Sequence, residues 1–313
     1  MTATTGSLGA ASSSRVSPSE AGSSSPHSPH EPHSPHAPHA PHSPHSPDAP
    51  HSPHSPDSRH SPDSPTTAVV TVPDVVERWA TSTGGKIRYL DNAPEKPVGL
   101  PILFSPGFTD FADESLEVLR FFSPRRVLVV EVRGRGKSDA PLIGYRASDH
   151  ADDLAAVLEQ EHIDQFHLMT FSRGTTWGLE LALRNPSRVV TVSIGDYWAG
   201  EHHLDREHAP NFMSTRFRGK PMPQRISAHV VAEVFGASID RDFLGPLAAS
   251  GIPVLVATGT EAGCMLTPEN LHECKLRIPG VETITIPGAS HDLFRPDRFA
   301  YPKAILAFQQ RFA

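Results

Sequence analysis

Cysteine is scarce in this sequence, with only Cys264 and Cys274 among 313 residues. Two cysteines cannot form a disulfide framework, and their spacing matches no zinc-binding pattern. We therefore expect a protein of a reducing compartment.

Basic charge is also in short supply, because 28 Lys and Arg residues stand against 35 Asp and Glu, for a net charge of −7. This balance disfavours general nucleic-acid binding. Long apolar runs are missing too. No run is long enough to span a bilayer, and the first 25 residues lack the apolar core of a signal peptide. These absences predict a soluble, cytoplasmic protein with neither nucleic-acid nor membrane partners.

Large apolar side chains are almost absent from residues 1–66, which consist mainly of Ser, Pro, His, Ala, Thr and Gly. Such a segment cannot bury enough surface to offset the entropy of ordering it, so we predict a disordered tail. The remaining residues, 67–313, are enough for a single domain with a well-buried core.

Within the tail, His or Asp occupies every third position from His27 to Asp63, nearly always after Pro. Polyproline II also has three residues per turn, so these side chains would share one edge. Divalent-metal binding or a charge change at the ordinary histidine pKa are two interpretations of that edge. A solvated, semi-rigid linker and a mis-assigned start codon are the alternatives.

Strands and helices alternate along the rest of the chain. Apolar and alternating patterns predict two strands joined at Gly84-Gly85 within residues 67–91, and further strands at 101–104, 126–132, 166–171, 188–194, 253–259 and 281–286. Helical patterns cover residues 113–122, 148–161, 173–184, a segment beginning at 267, and 297–312. This alternation predicts an α/β fold, a mostly parallel sheet with helices on both faces. The polar, aromatic and Pro-rich segment 197–247 is predicted to be an inserted lid.

Ligands bind such sheets at the carboxyl ends of the strands. Ser172 follows the strand 166–171, Asp196 follows 188–194, Glu261 follows 253–259 and His291 follows 281–286. One edge of the sheet therefore collects a serine, two candidate carboxylates and a histidine, in the order that an α/β-hydrolase uses.

Three segments resemble the α/β-hydrolase superfamily, of the serine hydrolase type: the elbow TFSRG at 170–174, the loop RGRGKSD at 133–139 and GASH at 288–291. The resemblance covers roughly residues 75–312. It implies the α/β-hydrolase fold with a short helical lid, with Ser172 as nucleophile and His291 as general base. Thr170 departs from the pattern, since the elbow usually has glycine there. The plainer alternatives are that Ser172 only caps the following helix and that His291 is a surface residue.

The acid of this triad is less well marked. The family commonly places it at the position that is Ala262 here, and Glu261 is one residue short. The family can also place it at the end of the preceding strand, which is Asp196. We predict Asp196 as the acid, with Glu261 as the alternative.

Acyl transfer also needs N–H donors for the carbonyl oxygen. The family uses the amide after the nucleophile and one from the first loop, so the resemblance assigns this oxyanion hole to the amides of Arg173 and Phe108. Pro106 has no N–H and cannot be a donor.

Residues 208–225 of the lid contain four Arg or Lys residues and no Asp or Glu. A cap that attracts an anionic substrate and a solvated basic face both fit this pattern.

These features predict a serine hydrolase that cleaves a small ester, lactone or thioester through an acyl-enzyme, with no metal and no organic cofactor. A C–C bond hydrolase or a cofactor-free perhydrolase would use the same triad. A catalytically inactive, ligand-binding protein of the same fold is the third hypothesis, supported by Thr170 and Ala262.

Overall fold

The structure is a computed structural model and describes residues 75–312. The predicted disordered tail with its histidine register lies outside the described residues, as do residues 67–74 of the predicted domain. None of the described helices has the length and apolar composition needed to cross a membrane.

In chain order the described strands are β1 (Val76–Ser82), β2 (Gly85–Asp91), β3 (Ile102–Ser105), β4 (Val127–Glu131), β5 (Phe166–Thr170), β6 (Val189–Gly195), β7 (Gly200–Glu201), β8 (Arg216–Phe217), β9 (Lys220–Pro221), β10 (Arg241–Asp242), β11 (Val254–Gly259) and β12 (Glu282–Ile286). The hairpin predicted within residues 67–91 consists of β1 and β2, and the six later predicted strands agree with the described ones to within one or two residues. Four very short strands in the insertion were not predicted.

The described α-helices follow the predicted pattern as well. They are α1 (Leu116–Phe122), α2 (Ala147–Gln160), α3 (Gly174–Arg184), α4 (Ala209–Met213), α5 (Ala228–Ala237), α6 (Leu244–Ser250), α7 (Pro268–Arg277) and α8 (Ala300–Gln309).

Eight strands form one sheet in the order β1-β2-β4-β3-β5-β6-β11-β12. β2 runs antiparallel to both β1 and β4, and the neighbours from β4 to β12 run parallel. The mostly parallel sheet predicted from the alternation of strands and helices is thereby confirmed.

Two hydrophobic clusters form on opposite faces of this sheet. Leu128 and Val130 of β4 belong to one cluster, which also includes side chains of α2 and α3. Val127 and Val129 belong to the other, with side chains of α1 and α8. Because successive strand residues point to opposite faces, the apolar run in β4 is buried on both sides, as parallel strands require.

The insertion between β6 and β11 is not only helical. β7 pairs with β10, and β8 pairs with β9, as two short antiparallel ladders. Arg218 and Gly219, which join β8 to β9, both have positive φ, as two-residue hairpin turns often do. The helical lid predicted from the sequence is thus a mixed insertion of helices and two-residue strands.

Candidate active site

Ser172 lies in a sharp turn between β5 and α3. Its φ of +51° is in the left-handed region, which is uncommon for a residue other than glycine. The Ser172 N–H donates to Gly195 O at 2.8 Å, which ties the turn to the end of β6. Gly174 permits the turn, because a Cβ there would collide with the carbonyl oxygens of Ser105 and Pro106.

Thr170, the departure from the family pattern, is accommodated by a glycine on the neighbouring helix. Its hydroxyl donates to Ser193 O at 3.0 Å and lies 2.9 Å from Thr175 Oγ1. A Cβ at Gly178 would lie only 2.7 Å from Thr170 Cγ2. The absence of a side chain at Gly178 therefore gives the threonine methyl group its space.

His291, in the loop after β12, contacts both Ser172 and Asp196. Its Nε2 lies 2.9 Å from Ser172 Oγ, and its Nδ1 lies 2.7 Å from Asp196 Oδ2. The imidazole stacks on Phe171, with ring centroids 5.2 Å apart and an interplanar angle of 26°. Both ring nitrogens and one ring face are thus fixed by neighbours.

Asp196 is fully buried at the end of β6. Oδ1 accepts a hydrogen bond from Thr258 Oγ1 at 2.8 Å, and Oδ2 accepts one from the Met265 N–H at 2.8 Å. These donors hold the carboxylate in place beside His291. Glu261, the alternative, is exposed, and its carboxylate accepts from Thr260 Oγ1. The structure brings Asp196, and not Glu261, to the histidine.

The amides of Phe108 and Arg173 are available for a ligand. Within residues 75–312, neither N–H donates to a backbone or side-chain acceptor, and both residues border the same cavity as Ser172. The Gly107 N–H is unavailable, because it donates to Asp110 Oδ2 at 3.0 Å. Burial raises the pKa of Asp110.

No motif or periodicity in the sequence indicates that Arg135 supports the Phe108 loop. The buried guanidinium donates from Nε to Phe108 O at 3.0 Å. It lies between the rings of Phe108 and Trp177, at 4.9 and 4.7 Å from their centroids. Burial lowers the pKa of Arg135 to about 9, so the side chain still carries its charge at neutral pH.

The cavity above Ser172 has a volume of about 320 Å³ and is lined mostly by apolar side chains. Besides the residues of the elbow, His291 and the Gly107–Asp110 loop, its walls contain Tyr197, Leu204, Phe212, Phe217, Met222, Phe235 and Met265. All of these except Met265 belong to the insertion. The sequence indicates aromatic and apolar residues in the insertion, but no periodicity shows which of them meet above Ser172.

Both interpretations of the basic lid segment are wrong for two of its four residues. Arg218 and Arg225 neither face solvent nor offer free charge to an anion, because Glu114 accepts hydrogen bonds from both of them. Arg216 and Lys220 are exposed, as a solvated face predicts. The acids that pair with Arg218 and Arg225 lie outside the lid, so the lid sequence alone could not reveal them.

Within residues 75–312, one cluster of metal-ligating side chains was found, the exposed Asp205, Glu207 and His208 on the lid. None of the three lines the cavity above Ser172. We assign no role to this cluster.

Comparison with known proteins agrees with this architecture. The family model described as alpha/beta hydrolase fold matches residues 101–219. The putative carbamate hydrolase RutD of Variovorax paradoxus is 35% identical over 75 residues, which cover 24% of this chain and 28% of that protein. The non-heme chloroperoxidase of Streptomyces lividans is 37% identical over 81 residues, which cover 25% of this chain and 29% of that protein. The aligned segments thus span less than a third of these two relatives.

Solved structures match over a much larger part of the chain. The crystal structure of the esterase RhEst1 from Rhodococcus sp. ECU1013 superimposes with a TM-score of 0.63 and 21% identity, over 76% of this chain and 99% of that one. The likeness is one of fold. Together with the family match over residues 101–219 and the order of the strand ends, it shows that the chain has the alpha/beta hydrolase fold.

Proposed function

We propose that this protein is a serine hydrolase in which Ser172 is the nucleophile, His291 the general base and Asp196 the residue that orients the base. The observation that carries the proposal is the unbroken line of contacts from Ser172 Oγ to His291 Nε2, at 2.9 Å, and from His291 Nδ1 to Asp196 Oδ2, at 2.7 Å. A serine hydroxyl is a weak nucleophile until a base takes its proton, and this geometry provides the base.

The first step follows from the tautomer that Asp196 favours. A buried carboxylate accepts the Nδ1–H of His291, which leaves Nε2 free to accept the Ser172 proton. As Ser172 Oγ attacks the carbonyl carbon, His291 becomes an imidazolium, and the Asp196 charge stabilises it. His291 then returns the proton to the leaving group. Water, activated by the same histidine, releases the acyl group from Ser172.

The negative charge that develops on the carbonyl oxygen requires fixed donors. The N–H groups of Phe108 and Arg173, which have no acceptor within residues 75–312, supply two of them. The Arg173 N–H lies at the N-terminal end of α3, where amides have no partner within the helix and the helix dipole favours negative charge. These amides cost no rearrangement at the moment of reaction, which is the basis of their effect.

The shape and polarity of the cavity support a small, uncharged substrate. Aromatic and aliphatic side chains make up most of its walls, and about 320 Å³ suits a small ligand. The charges of Arg218 and Arg225 are matched by carboxylates. We therefore propose a small ester, lactone or thioester without a carboxylate in its acyl part.

A second candidate activity is cofactor-free perhydrolysis, in which hydrogen peroxide rather than water attacks the acyl-enzyme. The similarity to a protein named non-heme chloroperoxidase favours this candidate over C–C bond hydrolysis. Formation of peracetic acid from acetate and hydrogen peroxide would support perhydrolysis. Its absence alongside active ester hydrolysis would leave the first proposal alone.

The inactive, ligand-binding alternative is weakened at both residues that supported it. Thr170 has space opposite Gly178, and the carboxylate missing at Ala262 is provided by Asp196. Neither departure from the family pattern thus removes a group that the reaction needs.

Hydrolysis of p-nitrophenyl butyrate by purified variants tests the proposal. We expect Ser172→Ala and His291→Ala each to lower kcat by about 10³-fold or more. Asp196→Asn should lower it by about 10²- to 10⁴-fold, because the imidazole loses its orienting charge. Glu261→Gln is the matched control and should stay within about twofold of the wild type.

Full activity of Ser172→Ala would contradict the nucleophile assignment. A large loss in Glu261→Gln together with an active Asp196→Asn would contradict the assignment of the acid alone.

A further inference from the structure

Arg218 connects the lid to two loops of the candidate active site. It lies in the two-residue turn between β8 and β9, and its side chain is largely buried rather than extended into solvent. Its φ is +46°, in a region where turns of this kind favour Asn, Asp or Gly. The turn geometry therefore does not explain an arginine, and its side-chain contacts do.

The first contact is with the loop after β12 that carries His291, which we call the base loop. Arg218 Nε donates to Asp292 Oδ2 at 2.8 Å, and Nη2 donates to Asp292 Oδ1 at 2.9 Å. Asp292 directly follows His291 in the chain. Such a two-point arginine–carboxylate contact fixes direction as well as distance, so it restricts how the backbone beside His291 can turn.

The second contact is with residues 107–114, the segment that carries the Phe108 amide. Arg218 Nη1 donates to Glu114 Oε2 at 2.9 Å and to Asp110 Oδ1 at 3.3 Å. The other oxygen of Asp110 accepts the Gly107 N–H, one residue before Phe108. A single guanidinium thus spans from the residue after His291 to the loop that carries the Phe108 amide.

Arg225 reinforces only one side of this arrangement. It donates to Glu114 through Nη1 and Nη2, at 3.0 and 2.6 Å, and to Thr109 O through Nε at 3.2 Å. Its ion pairs among the described residues are with Asp110 and Glu114 and do not include Asp292. Arg218 is therefore the side chain that joins the two loops, and its loss would leave buried Asp110 without its closest cation.

We propose that Arg218 is a positioning residue that closes the lid hairpin, β8 to β9, onto both loops and so holds His291 and the Phe108 amide in their reactive arrangement. The inference rests on the proposed serine hydrolase function. It assigns to the lid a part in the chemical step, in addition to covering the cavity.

Kinetics of p-nitrophenyl butyrate hydrolysis separate this role from a merely structural one. We expect Arg218→Gln to lower kcat by about 10- to 100-fold, because small displacements of reacting groups are costly, with a smaller change in KM. Arg218→Lys keeps the charge but cannot form the two-point contact, so it should restore only part of the loss. Arg216→Gln, an exposed arginine of the same hairpin, is the control and should stay within about twofold.

Asp292→Asn provides an independent variant. It should lower kcat in the same direction, and the double variant Arg218→Gln/Asp292→Asn should lose less than the product of the two single losses, because the two residues act as one unit. A kcat of Arg218→Gln equal to that of Arg216→Gln would overturn the proposal, and so would multiplicative losses in the double variant.

Hydrogen exchange tests the connection without relying on catalysis. We expect faster amide exchange in residues 216–221 and 290–294 of Arg218→Gln than of Arg216→Gln. Unchanged exchange in residues 290–294 would overturn the proposed hold on the base loop. If the wild type hydrolysed no ester while the exchange difference appeared, the proposed function would fail and the connection would stand.

Discussion

At the scale of single residues, the elbow is maintained by a matched pair on two elements. Thr170 ends β5, and Gly178 lies one turn into α3, so the threonine methyl group fills the space that a helix side chain would need. The consensus elbow has the glycine on the strand instead. Here the small residue is on the helix, and the close approach of α3 to β5 is preserved.

Gly178→Ala should therefore destabilise the protein even though alanine favours helices. A Cβ would meet Thr170 Cγ2 at 2.7 Å, and overpacking of this kind outweighs the helix preference to give a loss of about 1–2 kcal/mol in the free energy of unfolding. Adding Thr170→Ser, which keeps the hydroxyl and removes the methyl group, should recover most of the loss. Urea denaturation gives the free energy of unfolding of the wild type, of Gly178→Ala and of the double variant.

The matched control is Gly245→Ala in α6. Its nearest side-chain atom, Arg277 Nη2, would lie 3.5 Å away, so this substitution should be neutral or stabilising. Equal destabilisation by both substitutions, or no recovery in the Thr170→Ser/Gly178→Ala double variant, would contradict the matched-pair explanation.

At the scale of elements, the carboxyl ends of the strands determine where the reactive side chains meet. β5 leads to Ser172, β6 to Asp196 and the loop after β12 to His291, and these strands run parallel. Side chains more than 100 positions apart in sequence therefore come within hydrogen-bonding distance. The lid differs, because its two-residue strands and short helices gain their arrangement from contacts with the rest of the molecule.

This difference explains what the sequence could and could not predict. The strands, the helices on both faces and the meeting of Ser172 with His291 follow from apolar periodicity and the order of strand ends. The contact of Arg218 with Asp292 depends on a turn between two-residue strands, which no periodicity marks. The same holds for Arg135, whose support of Phe108 depends on packing between loops distant in sequence.

At the scale of the whole molecule, a buried histidine links the free energy of unfolding to pH. His167 is fully buried in β5. Its Nδ1 lies 2.9 Å from Thr191 Oγ1, and its Nε2 has no partner within residues 75–312. Burial, assisted by the charge of Arg125, lowers the pKa of His167 to about 4. The folded protein therefore keeps this imidazole neutral where the unfolded chain would protonate it.

The direction of the pH effect follows from this lowered pKa. As pH falls below about 6.5, the histidine pKa in the unfolded chain, the unfolded chain binds a proton at His167 that the folded protein does not bind. The free energy of unfolding then decreases until pH reaches the folded value of about 4. Between pH 7 and pH 5 the contribution of His167 to this decrease is about 2 kcal/mol.

His167→Asn should remove that contribution. The variant is expected to be less stable than the wild type at pH 7 but to lose about 2 kcal/mol less between pH 7 and pH 5. Urea denaturation at the two pH values gives the comparison, with the exposed His272→Asn as control. An equal decrease in His167→Asn and His272→Asn would show that His167 does not titrate as expected.

The central claim, that Ser172 is an activated nucleophile, is tested most directly by covalent labelling with a small fluorophosphonate, followed by mass spectrometry of the digested protein. We predict one adduct per chain, on Ser172, with no adduct in Ser172→Ala and labelling slowed by about 10³-fold or more in His291→Ala. An adduct on another serine, or a wild-type protein that hydrolyses esters while Ser172 stays unlabelled, would contradict it.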